Sequence, residues 1–153
     1  MFICDSCGIK ICFVSIQVDL FKDIFEKGPS YASALYFPDT SANTTPGSAA
    51  IKLGLKGSGT TFSTGGNEGI IAAYTAYNLV RNGAQRFCLA GAADEYSGFS
   101  SEVNRVLGLD KGKYTIGEGS GFIVLGSLAE PVDPKHKIYA EIKGFGFSFG
   151  LEN

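Results

Sequence analysis

One segment constrains the fold more than any other: residues 67–81, NEGIIAAYTAYNLVR, carry no charge between Glu68 and Arg81. Apolar and small side chains return at Ile70, Ala73, Ala76, Tyr77 and Val80, the 3.6-residue period of a helix. Asn67 can cap its start, and Asn82 followed by Gly83 closes it. An uncharged, alanine-rich helix has little polar face to give to water, so it is expected to be buried between layers. A β-favouring stretch precedes it at residues 60–63 and another, RFCLAG, follows at 86–91. Strands alternating with such a helix predict an α/β sheet with helices on both faces.

The remaining segments extend this pattern. Residues 9–16 (IKICFVSI) are β-branched and mostly apolar, and read as the first strand. Leu20, Phe21, Ile24 and Phe25 recur at helical spacing, with Asp19 as N-cap and Gly28-Pro29 as the stop. After a connection to about Asn43, Thr45 and Pro46 open a short helix that ends near Gly54. Residues 60–63 form the second strand, 86–91 the third, 121–125 a fourth and 138–149 a fifth, with a short helix at 100–107. No linker or repeat divides the 153 residues, so one domain over 1–153 is expected.

Composition excludes several classes. Leu, Ile, Val and Phe number 42, enough for a hydrophobic core and too many for a disordered chain. Thirteen basic and fifteen acidic residues are interspersed, so the electrostatic footprint of a nucleic-acid binder is missing. The uncharged, mostly apolar runs, residues 11–18 among them, fall far short of the roughly 20 residues that cross a bilayer. Neither nucleic acid nor membrane is an expected partner. With Asp5 ahead of any basic residue, the opening MFICDSCGIK lacks the features of a secretory signal, and a cytoplasmic location is expected.

Cysteines stand at positions 4, 7, 12 and 88, and Cys4-Asp-Ser-Cys7 has the spacing of half a zinc site or a redox pair. Structural zinc takes four ligands, yet beyond Cys12 only Cys88 and His136 are available, each without a paired neighbour. Reduced thiols and no bound metal are expected. His136, the one histidine, lies in the proline-bracketed PVDPKHK and is expected in a solvent-exposed loop. Glycine-rich pieces imitate phosphate loops without meeting their requirements. Gly108 to Gly112-Lys113 is one residue short of a Walker loop, and GEGSG (117–121) runs into a strand pattern rather than opening a helix. No cofactor is expected.

Four patterns in series carry a family resemblance. They are SANTTPGSAAIKLGLKG (41–57), TTFSTGGNEG (60–69), NLVRNGAQRFCLAGAADE (78–95) and GEGSGFIVL (117–125). Residues 38–125 resemble the N-terminal half of a β-ketoacyl synthase, one of the thiolase-like condensing enzymes. The resemblance implies a thiolase-like layered sheet, incomplete here, beginning at the family's third strand. In active members the nucleophile strand ends in Ser/Thr-x-Ala-Cys, and the cysteine opens a buried helix whose N-terminus favours thiolate. With Ser63, Thr64 and Gly69 fixing the register, Gly65 matches the small residue and Gly66 takes the nucleophile position.

Glycine cannot form a thioester, and the family's catalytic histidines and lysine belong to its C-terminal half. The resemblance therefore implies a non-catalytic subunit or fragment, similar to a chain-length factor, in fatty acid or polyketide synthesis. A synthase-like partner subunit or a homo-oligomer is expected, with acyl carrier protein as a further partner. Dimer contacts are expected near residues 60–63. Two alternatives stand beside this reading: an acyltransferase using Cys88, Ser63 or Thr64 as nucleophile, and a metal or redox module built on Cys4 and Cys7.

Overall fold

A computed structural model of the protein describes residues 6–10, 14–64, 66–108, 117–129, 133 and 135–148. In chain order the elements are β1 (Ser6–Lys10), α1 (Val14–Lys27), α2 (Thr44–Leu53), β2 (Gly59–Thr60), α3 (Glu68–Arg81), β3 (Phe87–Asp94), α4 (Gly98–Val106) and β4 (Gly119–Gly126). Single 3₁₀ turns at Pro29–Tyr31 and Pro38–Thr40 lie between α1 and α2. The strands form one mixed sheet in the order β2-β1-β3-β4. β1 runs parallel to both β2 and β3, with Ser6 opposite Cys88 and Lys10 opposite Ala92. β4 returns antiparallel to β3, pairing Phe87 with Gly126 and Asp94 with Gly119.

The core lies where α3 crosses the sheet. Ala72, Ala76 and Val80, spaced by four residues on one helix face, meet Cys88 and Ala90 of β3, both fully buried. Small residues on both elements bring helix and sheet close together, and Leu55, Phe62, Leu79, Leu89 and Leu125 close the rim. One glycine is required by the packing. A Cβ at Gly91 would lie 2.2 Å from the Gly121 carbonyl oxygen and 2.4 Å from the Phe122 ring, so only glycine fits between β3 and β4 there.

The first strand and first helix differ from their expected bounds. β1 ends at Lys10, and α1 begins at Val14, five residues ahead of Asp19. A short apolar run is ambiguous between strand and helix, and a distant contact favours the helix here. The Ser15 backbone N–H and hydroxyl both donate to Glu95 Oε1, at 3.1 and 2.7 Å, so a residue 80 positions away satisfies the first turn of α1. Asp19 sits exposed in the helix interior, while Leu20 turns inward and is buried.

Other corrections follow from pairing. Of residues 60–63 only Thr60 joins the sheet, with Gly59. β3 and β4 both run longer than expected, because their antiparallel ladder continues through the glycines of GEGSG. α2 and α4 each begin two residues early, α2 with Asn43 rather than Thr45 at its cap position; Ser97 caps α4, its hydroxyl accepting the Ser100 N–H at 3.0 Å. Residues 138–148 form no strand; Phe149 lies outside the described residues. Instead Phe145 and Phe147 pack edge-on against Tyr74, at centroid distances of 5.5 and 4.9 Å, and Phe145 also meets Tyr77. This segment supplies a second cover for α3, whose exposed residues are Ile70, Tyr74 and Arg81. α1 packs against α4 and the two 3₁₀ turns. Among the described residues, no helix is long and apolar enough to cross a membrane.

Candidate functional site

The loop after β2 carries the chain to the N-terminus of α3, where the backbone N–H groups of a helix's first turn lack intrahelical partners. Asn67 occupies the cap position but its side chain makes no capping hydrogen bond. Glu68 instead ties down the turn that precedes the helix. Its carboxylate reaches back over the preceding turn, Oε1 accepting the Thr64 N–H at 2.8 Å and Oε2 the Gly66 N–H at 2.9 Å. Glu68 is 4% exposed, so its carboxylate is screened from water, while Thr64 and Gly66, whose N–H groups it holds, are exposed. Helix polarity adds to these bonds, since a carboxylate is favoured at the positive end of the helix. Gly66 itself has φ of +131°, a region L side chains rarely adopt, with open space where a Cβ would stand.

A cleft of about 210 Å³ opens beside this turn, lined by Gly66, Glu68 and Gly69, by Ala92 to Asp94 at the end of β3, and by Gly119 to Gly121 at the start of β4. Tethers on both sides fix its walls. Glu95, immediately after β3, holds Ser15 of α1, and Glu118, immediately before β4, accepts the Tyr96 N–H at 3.3 Å. The lining is small and backbone-rich. Its polar side chains are Glu68, Asp94 and Ser120; Glu68 holds backbone N–H groups, and no histidine stands among the described lining residues to activate the Ser120 hydroxyl.

The other sequence candidates are scattered. Cys88 is fully buried in the core opposite Leu125, away from the cleft. Ser63 and Thr64 are exposed on the approach to the turn, outside the lining. His136 is half-buried rather than exposed, in a turn where its backbone N–H donates to the Asp133 carbonyl at 2.8 Å. Cys7 lies in β1 opposite Leu89, whereas Cys4, Cys12 and Gly65 lie outside the described residues. Among the described residues no group of three His, Cys, Asp or Glu side chains could hold a metal ion. Sequence reading missed the clamp by Glu68. The available signal was an acid in the first turn of a helix directly after a Gly-Gly pair, the position from which a carboxylate reaches back to free N–H groups.

No protein-family model matches the chain. Curated relatives do: the 3-oxoacyl-[acyl-carrier-protein] synthase 2 of Synechocystis sp. is 29% identical over 159 residues, an alignment covering 92% of this chain and 38% of that protein. Solved structures share the backbone. The ishigamide ketosynthase/chain length factor superimposes with a TM-score of 0.74 at 24% identity, over 84% of this chain and 38% of that one. A ketosynthase solved with its type II acyl-carrier protein and bound to the hexaketide gives 0.70 at 19% identity, with the same coverage. The chain thus spans well under half the length of the proteins it matches. By sequence it is similar to the β-ketoacyl synthases, and over the part it covers it has their thiolase-like fold, a mixed sheet with helices.

Proposed function

We propose that the protein is a cytoplasmic, non-catalytic β-ketoacyl synthase-like subunit of fatty acid or polyketide synthesis, similar to a chain-length factor. In this reading residues 38–125 correspond to the N-terminal half of a synthase, with Gly66 in place of the nucleophile. One observation carries the proposal: the Gly66 N–H is bound to the buried carboxylate of Glu68. In acyl transfer, the helix N-terminus serves by stabilising negative charge, first on a thiolate and then on an oxyanion. Here the chain's own carboxylate already occupies the Gly66 N–H. A carboxylate at this point raises the pKa of any neighbouring thiol and repels a developing oxyanion. The turn therefore lacks the nucleophile and opposes the charge one would generate. A synthase-like partner supplying the chemistry fits this reading, as does docking of an acyl carrier protein near it.

Mass spectrometry after incubation with an acyl thioester tests the proposal. The wild-type chain should carry no acyl adduct, and Gly66→Cys alone should not gain condensing activity, because the acid-base and oxyanion groups act with the nucleophile as a unit. A stable acyl adduct on Cys88, Ser63 or Thr64 would overturn it.

A further inference from the structure

The residues that stop α3 are also a reactive pair. An asparagine side-chain amide can be attacked by the backbone nitrogen of the next residue, and glycine in that place neither shields its nitrogen nor restricts the rotation that ring closure needs. Asn82 alone among the chain's asparagines precedes glycine; Asn43, Asn67, Asn78 and Asn104 precede Thr44, Glu68, Leu79 and Arg105. Asn82 and Gly83 are both exposed, and a Cβ built on Gly83 would meet nothing within 4 Å, so water and base reach the pair. The helix cap opposes the reaction. Asn82 has φ of −83° and ψ of 2°, Gly83 has φ of +70°, and the Gly83 N–H donates to the Val80 carbonyl at 3.1 Å. With ψ near zero the Gly83 nitrogen eclipses the Asn82 nitrogen and is turned away from the side-chain amide carbon. Attack waits until ψ has rotated and the bond to Val80 has parted.

We infer that Asn82 is a site of spontaneous deamidation gated by the last turn of α3. When the turn opens, the Gly83 nitrogen loses its proton to solvent base and bonds to the Asn82 side-chain amide carbon. The bond from that carbon to the amide nitrogen breaks, and ammonia leaves with a proton taken back from solvent. Water then opens the cyclic imide. Cleavage between the Gly83 nitrogen and the side-chain carbonyl carbon gives aspartate; cleavage between that nitrogen and the backbone carbonyl carbon gives isoaspartate, and nothing is oxidised or reduced in either. Both products place a carboxylate at the negative end of the helix, where an anion is disfavoured. Isoaspartate also inserts a carbon into the main chain. That insertion falls within the cap, where the Asn82 N–H donates to the Asn78 carbonyl at 3.0 Å and the Gln85 N–H to the Leu79 carbonyl at 3.1 Å. These bonds turn the chain from α3 towards Phe87 at the start of β3, so the modification loosens the joint between the helix and the strand it packs on, and does so irreversibly with age.

Peptide-level mass spectrometry of the full chain, held at mildly alkaline pH and sampled over time with and without guanidinium chloride, tests this. Asn82 should deamidate faster than Asn43, Asn67, Asn78 and Asn104 in both conditions, with isoaspartate exceeding aspartate. Its native rate should fall below its rate in denaturant by about two- to tenfold, the factor that one backbone hydrogen bond supplies. Asn82→Asp stands in for the aspartate product and should lower Tm by about 1–4 °C. Asn82→Gln, whose longer side chain would have to close a larger and slower-forming ring, should keep the parent Tm and stay unreacted at that position. Equal rates in the two conditions would overturn the gate. Complete reaction in denaturant with none in the native chain would overturn the inference, as would another asparagine reacting first. An Asn82→Asp variant that melts with the parent would overturn the consequence for α3.

Discussion

Replacing Glu68 tests the clamp at the start of α3 directly. Glu68→Ala removes the acceptors of two charge-assisted hydrogen bonds, from Thr64 and Gly66. Such bonds contribute roughly 1.5–3 kcal/mol each, and because Thr64 and Gly66 are themselves exposed, water can re-solvate their amides, which places each at the low end. Together they come to about 3 kcal/mol, with about 0.5 kcal/mol more from the lost charge at the helix N-terminus. In a chain of this size 1 kcal/mol moves Tm by about 2–4 °C, so Glu68→Ala should lower Tm by roughly 7–14 °C. Glu68→Gln keeps one carbonyl acceptor and should lose about half as much. Differential scanning fluorimetry at one fixed protein concentration ranks the three proteins, since association would otherwise move Tm. A Glu68→Ala shift under roughly 2 °C, or a glutamine variant no more stable than the alanine one, would refute the view that this carboxylate organises the turn.

Gly91→Ala should be more damaging than its size implies. The added methyl must displace the Gly121 carbonyl and the Phe122 ring, splitting the β3–β4 ladder at a cost of about 3 kcal/mol or more, measured as a lowered urea midpoint. Cys88, fully buried in the core, should resist iodoacetamide in the native protein and be alkylated only under unfolding conditions, read at the peptide level. Labelling of Cys88 at the rate of a free thiol in native buffer would show that the α3–β3 core opens.

Legibility in the sequence followed the range of the interactions. The position and end of α3 could be read from its own residues, since the Ala-rich period and the Asn82-Gly83 stop are local signals. Its closeness to β3 could also be expected, because Ala72, Ala76, Cys88 and Ala90 are small. The start of α1 could not, as Ser15 draws its partner from Glu95 after β3. Residues 138–148 have strand composition, yet strand formation needs a neighbour, and the aromatic contacts with Tyr74 and Tyr77 hold them elsewhere. At the site, the family patterns directed attention to the turn by Gly66. They carried no information on the direction of the Glu68 side chain, which depends on the turn's backbone conformation rather than on any motif.

The order of strands in the sheet also governs how the protein emerges from synthesis. β1 is made first but takes its main partner, β3, from about 80 residues later, and β3 in turn is completed by β4. During that interval α1 is already available to form, with Phe21 and Phe25 on its surface, while the sheet that organises the rest is absent. Closing such a long loop precedes any gain from parallel pairing, so sheet assembly should be the slow step of folding. The chain is most exposed to misassociation between the emergence of those phenylalanines and the release of residues 119–126. A chaperone that binds early apolar segments should raise the yield of native protein, whereas faster translation of the first half alone should not.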